Sequence, residues 1–361
     1  MDSISSPAHS RPRHVVDESE VRPAAPNAGT DVVLTGDRPT GPLHLGHYAG
    51  SLGSRLALQE QGVDQTLLIA DLQALTDNNV RAHDIAINVT EVALDYLAIG
   101  IDPRRTTIAV QSALPGLAML TVIYLDFVTV ARLERNPTLK SEIALRGFER
   151  DLPAGFLCYP VSQAADITGF RATLVPVGHD QLPMLEQTNE IVRRVNQVAG
   201  EQVLRECRAL LSTTPRLPGV DGRKASKSLG NAISLAASDD EIRQRVHAMY
   251  TDPEHRRAAD PGRVEGNVVF AYLDAFDADA AAVAELKARY RRGGLGDMAL
   301  KRRLTDVLVS LITPIRLRRE HFAKDLGAVR HILKEGSAVA RERTDAVERG
   351  VRRVLGLFEL S

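Results

Sequence analysis

Two cysteines in 361 residues, Cys158 and Cys207, are too few for a disulfide framework. That scarcity fits a reducing compartment, and burial as a small apolar side chain is the ordinary use of either thiol. No apolar run is long enough to span a membrane, and no apolar stretch near the N-terminus has the pattern of a secretory leader. The expected setting is therefore the cytoplasm, with no membrane partner. A net charge of −1 gives no overall pull towards nucleic acid. What is present is ordinary: 44% apolar and 25% charged residues, in a chain long enough for two domains or one large one.

Charge is unevenly placed. Residues 281–361 carry 18 Lys and Arg against 10 Asp and Glu, so the C-terminal part is at +8 and the remainder at −9. Such an asymmetry suits a polyanionic partner, but on the charge alone a set of solvated helix faces is the plainer reading. Arg302, Arg303, Arg316, Arg318 and Arg319 are the candidate contacts. Residues 1–30 are rich in Ser, Pro, Ala and charge, and read as a disordered tail. From Asp31 onwards apolar runs alternate with helical spacing. Strands are expected at Val32–Leu34, Gln65–Ala70, Thr106–Val110 and from Leu174. Helices are expected over Tyr48–Gln61, Ile85–Ile99 and Leu117–Leu133. That rhythm predicts an α/β fold, a Rossmann-like doubly wound parallel sheet over residues 31–230. Beyond Asn231 the strand signal fades. Asp239–Tyr250, Val268–Phe276, Ala280–Tyr290, Leu300–Leu311 and Thr344–Leu357 read as helices of an α-helical C-terminal domain, residues 231–361. Ser238 and Glu241 have the spacing of a capping box.

The chemistry-bearing residues fall at the loops after strands. Following the first strand, Gly36, Pro39, Gly41 and Pro42 lead into His44-Leu45-Gly46-His47, which opens a helix. A strand-to-helix turn directs backbone N–H groups and the helix dipole at an anion, and two imidazoles add donors. Zinc would need a third and usually a fourth ligand near this pair, and no His or Cys cluster supplies one. Far along the chain, Lys224-Ala225-Ser226-Lys227-Ser228 places two lysines and two serines in a glycine-flanked loop. In a doubly wound sheet, ligands bind beyond the carboxyl ends of the strands where strand order reverses. The first turn lies at such an end, and so does Val175-Pro176-Val177-Gly178-His179-Asp180-Gln181. Together these features suggest a nucleoside triphosphate site without a P-loop.

The HxGH and KxSKS pair resembles the HIGH and KMSKS motifs of class I aminoacyl-tRNA synthetases. Tyr159-Pro160-Val161-Ser162-Gln163-Ala164-Ala165-Asp166-Ile167, then VPVGHDQ, then Glu186-Gln187-Thr188-Asn189-Glu190-Ile191, narrow the resemblance to the bacterial tryptophanyl branch, from Asp31 to the C-terminus. The resemblance implies activation of tryptophan with ATP, expulsion of pyrophosphate, and transfer to the tRNA for tryptophan. Its partners would be that tRNA, L-tryptophan, ATP and a second copy of the chain in a homodimer. Magnesium would be held by the phosphates rather than by a protein metal site.

By the same resemblance, His44, His47, Lys224, Lys227 and Lys140 are the catalytic candidates. ATP would meet Arg38, Thr40, His44, Gly46, His47, Gly178, Asp180, Lys224, Ser226, Lys227 and Ser228, with Gly46 leaving room for adenine against the backbone. Tryptophan would meet Leu34, Gln73, Tyr159, Gln163, Asp166, Val175, Val177 and Gln181. Asp166 would accept from the indole N–H, a donor-only group, and a fixed acceptor rejects a ligand lacking that donor. The chain departs from the family pattern at Gln73, Gln163, His179 and Ala225, and in having His at both ends of HxGH, so it reads as a divergent member. Rival readings are a tyrosyl-tRNA synthetase on the same scaffold, for which Gln163 and Asp166 resemble a phenol-reading pair, and a non-catalytic paralogue with a regulatory binding role. A small-molecule nucleotidyltransferase would have no use for the basic helical part.

Overall fold

In the computed structural model, described for residues 27, 29–78, 82–148, 150–211, 217–225 and 229–358, five strands form one wholly parallel sheet. They are β1 (Val32–Asp37), β2 (Asp64–Ile69), β3 (Thr107–Val110), β4 (Leu174–Val177) and β5 (Arg208–Leu211), in the order β3-β2-β1-β4-β5. β2 is buried at five of its six positions, as a strand covered by helices on both faces must be. The chain winds outwards from β1 to β3, then returns to place β4 on the other side of β1. The strand order therefore reverses between β1 and β4, as the alternation in the sequence anticipates.

The helices are α1 (Leu45–His47), α2 (Gly53–Glu60), α3 (Asp71–Asn78), α4 (Ala82–Ile99), α5 (Pro115–Leu125), α6 (Val130–Glu134), α7 (Pro137–Arg146), α8 (Ala154–Gly169) and α9 (Leu182–Ala199). Then come α10 (Asp239–His247), α11 (Val268–Phe276), α12 (Ala280–Arg292), α13 (Asp297–Ala323) and α14 (Leu326–Val354). The Ser238–Glu241 capping box is present, each side chain accepting from the other residue's N–H at 3.2 and 2.7 Å. Three expectations are corrected. The helix expected over Leu117–Leu133 is two, because Thr129 caps a new start by accepting from Arg132 N at 3.2 Å. The helix expected to stop at Leu311 runs through Pro314 to Ala323, with Ile312 and Ile315 buried on either side of the proline. α14 begins eighteen residues before Thr344.

That last helix returns to the sheet. A Cβ on Gly336 would lie 2.1 Å from Ile108 O, Ser337 Oγ accepts from Val110 N at 3.1 Å, and Arg341 donates to Ala113 O. Gly336 is there because backbone meets backbone. We expect Gly336→Ala to cost at least about 2 kcal/mol in urea unfolding, since the added methyl meets a strand rather than a flexible side chain. An unchanged midpoint would contradict this docking. The main core likewise runs without a break from Leu67, Ile69 and Tyr96 to Leu300, Leu304 and Leu308.

The arginines proposed for a polyanion are largely engaged internally. Arg303 pairs with Asp277 at 2.7 Å, Arg316 with Asp239 at 3.0 Å, and Arg319 with Asp95 at 2.7 Å and with Glu91. Arg318 donates to Ala98 O at 2.6 Å. Of the five, Arg302 alone is exposed with no such bond among the described residues. Much of the C-terminal charge excess is thus spent on docking α13 to its neighbours.

Candidate active site

At the carboxyl ends of β1 and β4, where the strand order reverses, lies a cavity of about 920 Å³. β1 contributes Leu34, Asp37 and the following Arg38 and Thr40; the helix after it contributes Gly46, His47, Ser51 and Arg55. β4 and its turn supply Val175, Val177, Gly178, His179, Asp180 and Gln181, and α8 supplies Tyr159, Gln163 and Asp166. Gln73, Thr76 and Glu142 complete the wall. Arg38, Thr40, Gly46, His47, Gly178 and Asp180, expected for ATP, are thus brought together with all eight residues expected for tryptophan.

The HxGH turn is held by its own imidazoles. His44 Nδ1 accepts from Gly46 N at 3.0 Å, and His47 Nδ1 accepts from His44 N at 3.2 Å. The two rings lie 3.9 Å apart between centroids. This is a capping box made from histidines. With Nδ1 accepting, the neutral His47 ring carries its proton on Nε2, a donor assignment that follows from the bonding network. Residues Tyr48–Leu52 then form a π-turn, a local irregularity common at functional sites. Below the turn, Arg55 Nη1 donates to Asp37 Oδ2 at 2.6 Å, and Tyr96 Oη donates to the same oxygen at 2.7 Å. Burial alone would raise the Asp37 pKa. The charge of Arg55, with these hydrogen bonds, outweighs it and holds the carboxylate well below its usual range.

At the apolar end, Asp166 is 4% exposed, and Gln111 Nε2 donates to both its oxygens at 2.9 and 2.8 Å. Gln73 Nε2 donates to Oδ2 at 2.8 Å. Burial pushes the Asp166 carboxyl up to about 7, with the Gln111 bond opposing and the Asp71 charge adding to the rise. At the other end of α8's inner face, Tyr159 Oη donates to Glu142 Oε2 at 3.0 Å. Burial raises the Tyr159 pKa and the Glu142 charge raises it further, so the phenol stays protonated.

Some expected site residues stand elsewhere. His44 caps the helix and does not line the cavity, because its ring is turned onto its own backbone. The space that a Cβ on Gly46 would fill is taken by that ring, 2.8 Å away, rather than left for a base. Lys140 is exposed on α7 and outside the cavity wall; Glu142, two residues on, faces in. Lys224 is exposed and outside the wall, but Ala225 beside it approaches the HxGH turn, its Cβ 3.8 Å from a Cβ built on Gly46. The chain just after that loop bonds to the turn, Leu45 N donating to Ile233 O at 2.9 Å. Ser226, Lys227 and Ser228, like residues 1–26 of the tail, lie outside the described residues. Sequence reasoning missed Gln111, Glu142, Asp37 and Arg55. Gln111 alone had a signal, following directly on a strand's carboxyl end.

A model of the class I tRNA synthetases for tryptophan and tyrosine matches residues 28–313. The chain belongs to this family. It is 55% identical over 331 residues to a tryptophan–tRNA ligase of Clostridium longisporum, covering 91% of this chain and 97% of that one. It is 50% identical over 333 residues to the tryptophan–tRNA ligase of a Streptococcus pneumoniae strain, covering 90% and 98%. Among solved structures, the tryptophanyl-tRNA synthetase of Campylobacter jejuni, complexed with ADP and tryptophan, aligns with a TM-score of 0.77 at 28% identity over 90% of this chain and 99% of that one. As a class I synthetase, the chain is an enzyme of the aminoacyl-tRNA ligase type, and its parallel sheet with appended helices is the family's fold. Among the described residues no helix is long and apolar enough to cross a membrane.

Proposed function

We propose that this synthetase joins L-tryptophan to ATP, forming tryptophanyl-adenylate and pyrophosphate, and then transfers tryptophan to the terminal adenosine of its tRNA. One observation supports this most: a single cavity at the β1/β4 switch has a donor-rich HxGH helix end on one side and a buried acceptor, Asp166, between apolar walls on the other. In the first step the tryptophan carboxylate attacks the α-phosphorus and pyrophosphate leaves. The protein's part is to position the reactants and to stabilise charge growing on the phosphoryl oxygens. His47 Nε2 and the helix end would donate to those oxygens. Thr40, Gly178 and Asp180 would hold ribose and phosphate, and Arg38 would grip a carboxylate or phosphate oxygen. Lys224 and Lys227, with Ser226 and Ser228, would take the leaving pyrophosphate. Magnesium would be carried by the phosphates of ATP rather than by a protein cage. In the second step a hydroxyl of the terminal ribose, the 2′-hydroxyl by resemblance, attacks the carbonyl and AMP leaves.

Residues 31–230 would be the catalytic domain and 231–361 the part that meets the tRNA anticodon. α5 exposes Met119, Val122 and Leu125 at helical spacing, an apolar face suited to a second copy in a homodimer. Sedimentation equilibrium should give two chains per particle, and one chain at micromolar concentration would contradict that face. A reaction consuming ATP and tRNA belongs in the cytoplasm. Aminoacylation tests the function: the tRNA for tryptophan should accept labelled tryptophan and not tyrosine. Charging with tyrosine, or with neither, would overturn the reading.

The Asp166 shift gives a pH dependence. The ionised carboxylate accepts from the indole N–H and the protonated form does so poorly. Affinity for tryptophan should therefore be full above about pH 8 and fall as pH drops through about 7. At pH 6 the dissociation constant should be about tenfold higher than on the plateau. Asp166→Asn should bind tryptophan weakly and without this dependence; a pH-independent wild type would contradict the role.

A further inference from the structure

The buried stripe of α13, Leu304, Leu308, Ile312 and Ile315, continues at Arg319, where the helical spacing calls for another apolar side chain. Arg319 is 16% exposed, and its partner Asp95 on α4 is 1% exposed. An ion pair so placed adds little stability over an apolar pair of similar volume, because both charges must leave water. What it adds is directed hydrogen bonds. Asp95 Oδ1 accepts from Arg319 Nε at 2.7 Å, and Oδ2 accepts from Leu43 N at 2.6 Å. The other arm of Arg319 pairs with Glu91. Leu43 directly precedes His44, so α13 reaches the start of the HxGH turn through one carboxylate. Three residues earlier on α13, Arg316 reaches the other motif. Its Nη1 donates to Ala237 O at 3.3 Å and its Nη2 to Asp239 Oδ1 at 3.0 Å. Those residues follow the KxSKS loop, on a segment that Asn231 ties to Lys224, its Nδ2 donating to Lys224 O at 3.1 Å.

We propose that Arg316 and Arg319 are positioning residues for the activation step, holding the HxGH turn and the chain beyond the lysine loop in one fixed relation, an inference that rests on the ATP-dependent reading above. The two segments already meet. Leu45 N donates to Ile233 O at 2.9 Å, Leu235 N donates to Leu43 O at 3.3 Å, and His44 faces Ser234 in an isolated antiparallel bridge. A single bridge lets its two segments pivot, and an arginine gripping each side fixes the angle between them. Both grips come from one turn of one helix, so α13 acts as the common frame. Neither arginine lines the cavity, so each acts through the groups it holds. Misplacing a reacting or stabilising group by about 1 Å can cost about a hundredfold in rate. The tryptophan pocket, built on β4 and α8, is bonded to neither arginine, so the cost should fall on kcat and spare the affinity for the amino acid.

The test is ATP–pyrophosphate exchange by the full chain at saturating ATP, with tryptophan varied. Arg319→Met should lower kcat roughly tenfold to a hundredfold while KM for tryptophan stays within about twofold. Arg319→Lys, which keeps a charge against Asp95, should recover kcat to within about threefold of wild type. Arg316→Gln should show the same split between kcat and KM. Its partner Asp239 is 36% exposed, so this variant strands no buried charge and keeps its fold. Lys301→Met is the control. It removes another bond that docks α13, from Lys301 Nζ to His247 O at 2.7 Å, and touches neither motif, so it should exchange at the wild-type rate. Arg316→Gln at wild-type kcat, a loss no larger than that of Lys301→Met, or a rise in KM for tryptophan matching the fall in kcat would overturn the assignment and leave the tryptophan reading intact. A wild-type chain without tryptophan-dependent exchange would overturn that reading itself.

Discussion

Replacing His47 with alanine should lower the rate of tryptophan-dependent ATP–pyrophosphate exchange by roughly a hundredfold to a thousandfold, the usual effect of losing one preorganised donor to a developing oxyanion. The ring lines the cavity and keeps Nδ1 as an acceptor for the backbone of His44, so Nε2 is its donating atom. Two losses combine in His47→Ala. One is the donor, which acts on kcat. The other is half of the reciprocal cap, worth about 1 kcal/mol of stability. His47→Gln separates them, because its longer side chain can bring an amide N–H near the place of Nε2, and it should recover exchange to within about tenfold of wild type. An alanine variant exchanging at the wild-type rate would remove His47 from the reaction.

The second large effect concerns the pair beneath that turn. Arg55 is 2% exposed and Asp37 14%, so removing one partner strands a charge in a poorly solvated place. Arg55→Met should lower unfolding stability by about 3–5 kcal/mol in urea. Converting the whole cluster with Asp37→Leu, Arg55→Met and Tyr96→Phe should restore most of it, since apolar side chains of similar volume replace all three polar partners. A single variant as stable as wild type would mean that water reaches Asp37 freely. The sign with pH follows from the depressed Asp37 value. Its contribution is complete above the unfolded carboxyl value of about 4 and is lost as pH falls below that.

These two clusters also show why the sequence spoke clearly in some places and not in others. The HxGH turn, the VPVGHDQ turn and the Tyr159–Gln163–Asp166 face were legible because each is a local pattern: a strand end, a turn, or an i, i+4, i+7 spacing on one helix. Strand alternation then implied that the two turns share a crevice, and they do. Asp37, Arg55 and Tyr96 are separated by 18 and 41 residues and have no signature until β1, α2 and α4 pack. Gln111 meets Asp166 across 55 residues. Lys140 and Glu142 show the limit from the other side. The family resemblance points to the lysine, whereas rotation about the α7 axis decides which of the two faces the cavity. The long α14 was half missed because Gly336 and Ser337 lower its helix propensity, and tertiary contact with β3 overrides that preference.

The most direct test is ATP–pyrophosphate exchange by the full chain, with tryptophan and tyrosine compared side by side. The account predicts exchange that depends on tryptophan and is far less efficient with tyrosine, whose phenol can offer Asp166 a donor but is smaller than an indole and leaves part of the apolar pocket unfilled. Exchange supported by tyrosine at comparable efficiency, or by neither amino acid, would contradict it.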